Sequence, residues 1–437
     1  MKFTLSTSFA KLSLLTLIAV FLLTLGGWLV AGVDPSACAG WPLCAPTGAA
    51  GAAQLFHRAS AGLTALLMLA LLFEAWRLHR DHRRILPWTM TAVTLFFSQI
   101  FVGAVQVERD FAFVYQVLHA LTAAAVFVAL TGVTLMAGLY ARDTVAFPPL
   151  DLRQRLKDFL TLTKPVIVLL LLVTTFAGMV AGGKAWPSLS LTFFTLLGGA
   201  LAAGGSGAIN QYIDRDLDKN MQRTAQRPLA VGRMTPAEGL AFGLTLCIAS
   251  FYIMVAYVNL LAALLSLAGI FYYVVLYSIL LKKATVQNIV IGGGAGAIPP
   301  LVGWAAATGG LGIPALILFL IVFMWTPPHF WALAIVRRKD YERAGVPMLP
   351  VIRGEAEARK QVLIYTVELV AVTFLLPIFN YTGGVYLVSA LILGLILLYF
   401  AWQVYRTEGN KIAWRMYRYS SMYLMFLFFA LMVDALM

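Results

Sequence analysis

Asn210, Asp214 and Asp218 stand four residues apart in the run Asn210-Gln211-Tyr212-Ile213-Asp214-Arg215-Asp216-Leu217-Asp218. On an α-helix a step of four drifts by only about 40°, so the amide and the two carboxylates share one face. Hard oxygen ligands on one face suit Mg2+, which takes one or two carboxylates and completes its shell with water and substrate phosphate oxygens. The stretch that follows supplies cations: Arg215, Lys219, Arg223, Arg227 and Arg233. Arg grips phosphate through a planar fork, Lys as a point charge. Together these residues predict a diphosphate site, with Asn210, Asp214 and Asp218 on Mg2+ and Arg215, Arg223 and Arg227 on the diphosphate. A loop that merely gathered positive charge would explain the cations but not the oxygen series at i, i+4, i+8.

Two further polar groups interrupt apolar sequence. Tyr277, Lys282 and Lys283 close one apolar run and Asn288 opens the next. Lys282 is expected to neutralise charge on a departing group, Lys283 and Asn288 to bind the diphosphate, and the Tyr277 ring face to stabilise a carbocation. The segment after Asn288 is rich in Gly and Ala, which let helix backbones or a flat ligand approach closely. Within it Pro299 and Pro300 remove two backbone donors, which predicts a break or kink. Downstream lies Trp325-Thr326-Pro327-Pro328-His329-Phe330-Trp331, followed by Asp340. A lone histidine in an apolar helix is more often a hydrogen-bonded packing residue than a ligand. Here Trp325 and Trp331 flank it as walls for a planar macrocycle, so His329, Trp325, Trp331 and Asp340 are expected to face a substrate.

The elements that must carry these residues are membrane helices. Of 437 residues, 61% are hydrophobic and only 12% charged, with a mean hydropathy of +0.85, too apolar for a soluble core. Apolar runs of about 20 residues recur, the length that crosses about 30 Å of hydrocarbon as helix. They show no barrel-like alternation. Spans are expected near 11–32, 55–76, 86–106, 114–139, 165–183, 190–209, 237–256, 259–281, 289–307, 313–333, 361–380, 384–403 and 416–436, thirteen in all. The first is long for a cleaved signal and another span follows it closely, so it is read as a retained anchor. Lys and Arg gather on alternate connections, from Lys2 and Lys11 to Arg406 and Arg415. The positive-inside rule then puts the N-terminus in the cytoplasm and the C-terminus outside, in a bacterial plasma (inner) membrane. The net charge of +13 is topology charge with an attraction for anionic lipid, and requires no nucleic acid.

The chain divides into residues 1–140, with four spans, a cytoplasmic linker at 141–163, and residues 164–437, with nine. In the first part His57 and His119 lie at matching depth near the outer surface, on separate helices, a natural pair of axial ligands for a heme b. His79 and His82 sit in a basic cytoplasmic loop as ordinary surface residues. Cys38 and Cys44 share the first external loop, on the oxidising side. A disulfide, a redox couple and two unpaired thiols all remain open for them.

From about residue 160 onward the chain resembles the UbiA family of intramembrane prenyltransferases, in its protoheme-farnesylating branch. The resemblance is carried by Asn-Gln-Tyr-Ile-Asp-Arg-Asp-Leu-Asp at 210–218, Arg-Pro-Leu at 227–229, Lys-Lys-Ala-Thr-Val-Gln-Asn-Ile-Val-Ile-Gly-Gly at 282–293 and Trp-Thr-Pro-Pro-His-Phe-Trp at 325–331. It implies nine helices around a cavity open to lipid, Mg2+ and farnesyl diphosphate at the cytoplasmic end, and protoheme IX as acceptor, giving heme O. Where many members of the wider family carry a second Asp-x-x-x-Asp motif, this sequence offers only Asp340, which resembles the heme branch and weakens the case for a second metal ion. The first part resembles one half of the heme A synthase family through Gly26-Gly27, Cys38 to Cys44 with Trp41-Pro42-Leu43, His57-Arg58 and Gln116-Val117-Leu118-His119. Gln54 stands where that family's pattern has a catalytic glutamate, which implies heme binding or relay rather than oxidation, alone or beside a separate heme A synthase or oxidase assembly factor. Two alternatives stay in view. Transfer to an aromatic quinone precursor would call for the missing second aspartate pair, and a heme transporter would place its polar groups near mid-membrane rather than at one face.

Overall fold

The computed structural model describes residues 3–31, 35–38, 41, 44–109, 112–141 and 151–437. Every regular element among them is helical. Among the described residues thirteen helices are long and apolar enough to cross a bilayer: α1 (Ser8–Val30), α2 (Gly48–His79), α3 (Ile85–Glu108), α4 (Phe113–Tyr140), α5 (Pro165–Gly183), α6 (Leu189–Asp218), α7 (Pro236–Tyr257), α8 (Leu260–Leu281), α9 (Asn288–Thr308), α10 (Ile313–Val336), α11 (Gly354–Ile378), α12 (Gly384–Arg406) and α13 (Asn410–Ala435). The protein is therefore a multi-pass membrane protein. Its helices outrun the expected ranges where polar residues extend them. α6 continues past 209 and so carries Asn210 to Asp218 in helical register, because hydropathy marks only the part of a helix that lies in hydrocarbon.

The chain forms two compact units. The first comprises Met1–Phe159 with Met234–Tyr252. Its core gathers Phe9, Met68, Leu71, Leu86, Phe96 and Leu130 from α1 to α4, with Ala237 and Ala241 of α7. Cys38 and Cys44 are joined by a disulfide, with their Cα atoms 5.3 Å apart. Arg58 Nη2 donates to the Cys38 carbonyl at 3.0 Å, tying the bridge to α2. Pro42 and Leu43 of that loop, and residues 142–150 of the expected linker, lie outside the described residues. The linker ends in a surface helix, Leu152–Leu162, with Leu152, Leu156 and Leu160 exposed along one face.

The second unit comprises Leu160–Arg233 and Ile253–Met437. Buried Trp325, Tyr386, Tyr423 and Leu427 mark its core. α5 and α9 approach so closely that a Cβ on Gly178 would meet the Pro300 carbonyl and one on Gly303 the Thr175 carbonyl, a small-residue contact that replaces side-chain packing with backbone packing.

The expected break at Pro299 and Pro300 falls elsewhere. Both prolines sit inside one continuous helical segment, Gly294–Thr308, and the interruption in α9 comes earlier, between Asn288–Gly292 and Gly294–Thr308. The helix keeps its winding through both rings despite the two missing backbone donors. α8 departs from the expectation too. Its second half, Tyr272–Leu281, winds as a π-helix, whose wider turn is commonest at functional sites.

Candidate active site

α6 delivers Asn210, Asp214 and Asp218 to one face, and all three are at most 3% exposed. Burying two carboxylates is costly unless each is compensated. The compensation comes from separate stretches of chain. Lys282, just beyond the π-helical end of α8, donates to Asp214 Oδ2. Arg227, in the loop after α6, holds Asp218 with Nη1 at 3.0 and 2.8 Å from its two oxygens. Asn210 Nδ2 donates to Asp214 Oδ2 at 2.8 Å and to Ser278 Oγ at 3.0 Å, while Asn210 Oδ1 accepts from Lys164 Nζ at 2.6 Å. Lys164 Nζ also lies 3.0 Å from the Tyr273 hydroxyl.

Lys164, Tyr273 and Ser278 escape sequence reasoning. Lys164 reads there as one more topology charge at the foot of a span. In the structure it takes a left-handed backbone conformation, φ +56°, immediately before Pro165. That conformation costs a non-glycine residue roughly 1–2 kcal/mol, and the following proline disfavours helical backbone further. The turn is held by Gln211, whose Nε2 donates to the Thr161 and Leu162 carbonyls at 3.0 and 3.1 Å. Burial pulls the Lys164 ammonium down to about 7, with Arg227 adding to the fall and Asp214 and Asp218 opposing it. Its charge is thus thinly supported by the neutral amide it faces. Tyr341, outside the spans, is raised above its ordinary value by burial.

The remaining expected residues divide. Arg223 and Lys283 are exposed. Arg215 turns back on its own helix, with Nη1 2.6 Å from the Tyr212 carbonyl and the guanidinium 4.8 Å from the Tyr212 ring centroid. Tyr277 stacks at 5.7 Å on Tyr273 and packs against Gly292, where a Cβ would strike its ring. Asn288 is buried; its Nδ2 donates to the Lys282 carbonyl at 3.3 Å, and its Oδ1 has no hydrogen-bond partner.

The Trp325–Trp331 cluster turns inward. His329 stacks on Trp325 at 4.3 Å and lies 4.6 Å from Tyr417, with Phe330 edge-on at 5.1 Å. Its Nδ1 meets Ser420 Oγ at 2.7 Å, and the Trp325 indole donates to the Ser420 carbonyl at 2.7 Å. Trp331 is buried edge-on against Tyr365. Asp340 is buried, 3.9 Å from Arg343.

In the first unit His57 Nδ1 and His119 Nδ1 are buried without a hydrogen-bond partner. A Cβ on Gly27 would lie 2.9 Å from the His57 ring and one on Gly103 3.1 Å from the His119 ring, so each imidazole is pressed against a bare stretch of neighbouring backbone. His79, expected at the surface, is buried instead and packs on the Phe9 ring at 4.7 Å, because α2 extends to include it.

The donor set fits Mg2+. Among the described residues no three His, Cys, Asp or Glu side chains converge as a self-sufficient metal nest. An ion here would draw on two carboxylates, an amide oxygen and substrate oxygens, the ligand set that Mg2+ favours.

The protoheme IX farnesyltransferase of Roseiflexus sp. (strain RS-1) is 44% identical over 420 residues, covering 91% of this chain and 78% of that protein. That of Trichodesmium erythraeum (strain IMS101) is 50% identical over 289 residues, covering 65% of this chain and 88% of the relative. A solved digeranylgeranylglyceryl phosphate synthase shares the fold at 18% identity, with a TM-score of 0.55, over 65% of this chain and 99% of its own. Residues 171–430 match the UbiA prenyltransferase family. With that match over more than half of its length, and with a relative 44% identical over 91% of it, the chain belongs to the UbiA prenyltransferase family.

Proposed function

We propose that the chain transfers the farnesyl group of farnesyl diphosphate to a vinyl group of protoheme IX, giving heme O. The observation that carries the reading is the matched set of buried charges: Asp214 with Lys282 and Asp218 with Arg227, beside Asn210 on one helical face. Farnesyltransferase relatives at 44% and 50% identity supply the choice of prenyl donor and acceptor.

In this reading Asn210, Asp214 and Asp218 hold Mg2+. The ion, when bound, withdraws charge from the diphosphate oxygens and so eases their departure. Lys282, Arg227 and Arg223 neutralise the charge that builds up as the C1–O bond breaks and its electron pair leaves with the diphosphate. Lys283, Arg215 and Asn288 bind the same group more peripherally. The allylic cation forms a carbon–carbon bond to the protoheme vinyl group, and water adds to the resulting cation with loss of a proton. Tyr277, on the π-helical turn next to Lys282, offers its ring face to the allylic cation. Apolar walls keep water from the cation until that bond has formed. For protoheme, Trp325, His329, Trp331 and Asp340 act from within the core and shape the acceptor wall, with Ser420 fixing the His329 ring through Nδ1.

The positive-inside rule supports a cytoplasmic N-terminus and an extracytoplasmic C-terminus in a bacterial plasma membrane, and the odd number of candidate spans among the described residues is consistent with it. A heme A synthase or an oxidase assembly factor is the fitting recipient of the product.

The test is product analysis. Purified protein in detergent receives protoheme, farnesyl diphosphate and Mg2+, with Asp214→Ala alongside. A heme carrying the farnesyl mass increment is expected from the unsubstituted chain, with the rate falling by about 10³-fold in the variant, on the order of 4 kcal/mol. Folded protein that yields no farnesylated heme would sink the reading.

The unpartnered nitrogens of His57 and His119 favour a second role, heme b binding or relay by the heme A synthase-like bundle at 1–140. Reconstitution with heme b is expected to give a low-spin bis-histidine absorption spectrum that His57→Ala or His119→Ala abolishes. A spectrum unchanged by both substitutions would remove the role.

A further inference from the structure

Each side chain assigned above to a metal ion is held here by a cation of the chain: Asn210 Oδ1 by Lys164, Asp214 Oδ2 by Lys282 and Asp218 by Arg227. The three are not equal. Lys282 and Arg227 face carboxylates in buried ion pairs, and breaking such a pair leaves a buried charge uncompensated. Lys164 faces only neutral groups, the Asn210 amide and the Tyr273 hydroxyl, and leaving them strands no charge. It is the cation most easily displaced. Its backbone is fixed independently of its ammonium, because Gln211 clamps the Thr161 and Leu162 carbonyls just upstream and Pro165 opens α5 just downstream. The side chain can therefore swing by rotamer changes alone while its root stays in place.

We propose that Lys164 is the exchangeable cation of this site: it occupies Asn210 Oδ1 until a divalent ion binds there, and then turns to the prenyl diphosphate. The proposal rests on reading Asn210 to Asp218 as a Mg2+–diphosphate site. Charge balance gives it a direction. Beside two carboxylates and the cations already paired with them, Lys164 adds a positive charge that repels a divalent ion and attracts the roughly three negative charges of a diphosphate ester. Lys164 consequently opposes the metal alone and favours the metal with diphosphate. A residue that merely supported Asn210 would favour both.

That difference in sign is the test. Mg2+ alone, and inorganic pyrophosphate in the presence of Mg2+, are titrated calorimetrically into the full-length protein and into Lys164→Met and Lys164→Arg. Lys164→Met is expected to bind Mg2+ alone at least threefold more tightly and pyrophosphate at least tenfold more weakly. Lys164→Arg, which keeps the charge, is expected to recover pyrophosphate binding to within threefold. Weaker binding of both ligands to Lys164→Met, or no change in either, would overturn the exchange. Should Lys164→Met not fold, as judged by its thermal unfolding, the same two signs are read from Lys164→Gln. An unsubstituted protein that binds no pyrophosphate with Mg2+ would overturn the diphosphate-site reading itself, and the exchange with it.

Discussion

The two polar clusters of the second unit solve the cost of burial in opposite ways. Around Asn210, Asp214 and Asp218 the compensating groups are long, flexible cations rooted on other elements: Lys164 before α5, Arg227 after α6 and Lys282 beyond α8. Around His329 the compensation is rigid, with Ser420 on the imidazole nitrogen and Trp325, Phe330 and Tyr417 against the ring. In the first arrangement Lys164 can exchange partners without unfolding anything; in the second the imidazole is held from several sides at once. Burial of a polar residue is thus a poor guide to its role. What its partner is able to do separates a binding site from a structural knot.

Two substitutions sharpen that contrast. Arg227→Ala would leave Asp218 buried and uncompensated, and is expected to lower stability by about 3–5 kcal/mol, seen in thermal unfolding, together with at least a 100-fold loss of transfer. Arg227→Lys, restoring charge without the two-oxygen contact, should recover most of the stability but not the rate. A stable, active Arg227→Ala would break the comparison from the exchangeable side. His329→Gln is expected to do less. It loses one hydrogen bond and a ring stack, about 1–3 kcal/mol, while the KM for farnesyl diphosphate stays within threefold. A KM shift as large as that of a diphosphate-site variant would show that the aromatic cluster is not the rigid partner described above.

Much of the fold was legible because lipid allows so few solutions. Thirteen apolar runs can only be helices, and the i, i+4, i+8 series needed nothing beyond helical geometry to place Asn210, Asp214 and Asp218 together. What stayed hidden depends on contacts between distant segments. Lys164 could not be told from a topology charge, since its place in the site follows from a left-handed backbone held by a glutamine 47 positions later. The inward turn of His329 depends on Ser420, another residue far along the chain. Pro299 and Pro300 misled because the loss of two backbone donors does not by itself fix where a helix is interrupted. The extra turn of α2 that buries His79 was missed for a related reason, since a basic stretch reads as loop until something packs against it.

The wide turn at Tyr272–Leu281 carries a consequence for how this gene can vary. In that segment the Lys282 amide bonds the Tyr277 carbonyl, five residues back rather than four, and the Ser278 hydroxyl reaches the Tyr273 carbonyl in the same step. The segment therefore spends one residue more than an ordinary helix would. Losing a single codon between 273 and 277 would be absorbed as the helix relaxes to its usual winding, so that Lys282 keeps its bearing on Asp214, whereas the same loss in the ordinarily wound first half of the span would rotate everything beyond by about 100°. The span thus contains one short stretch in which length is negotiable and a longer one in which it is not.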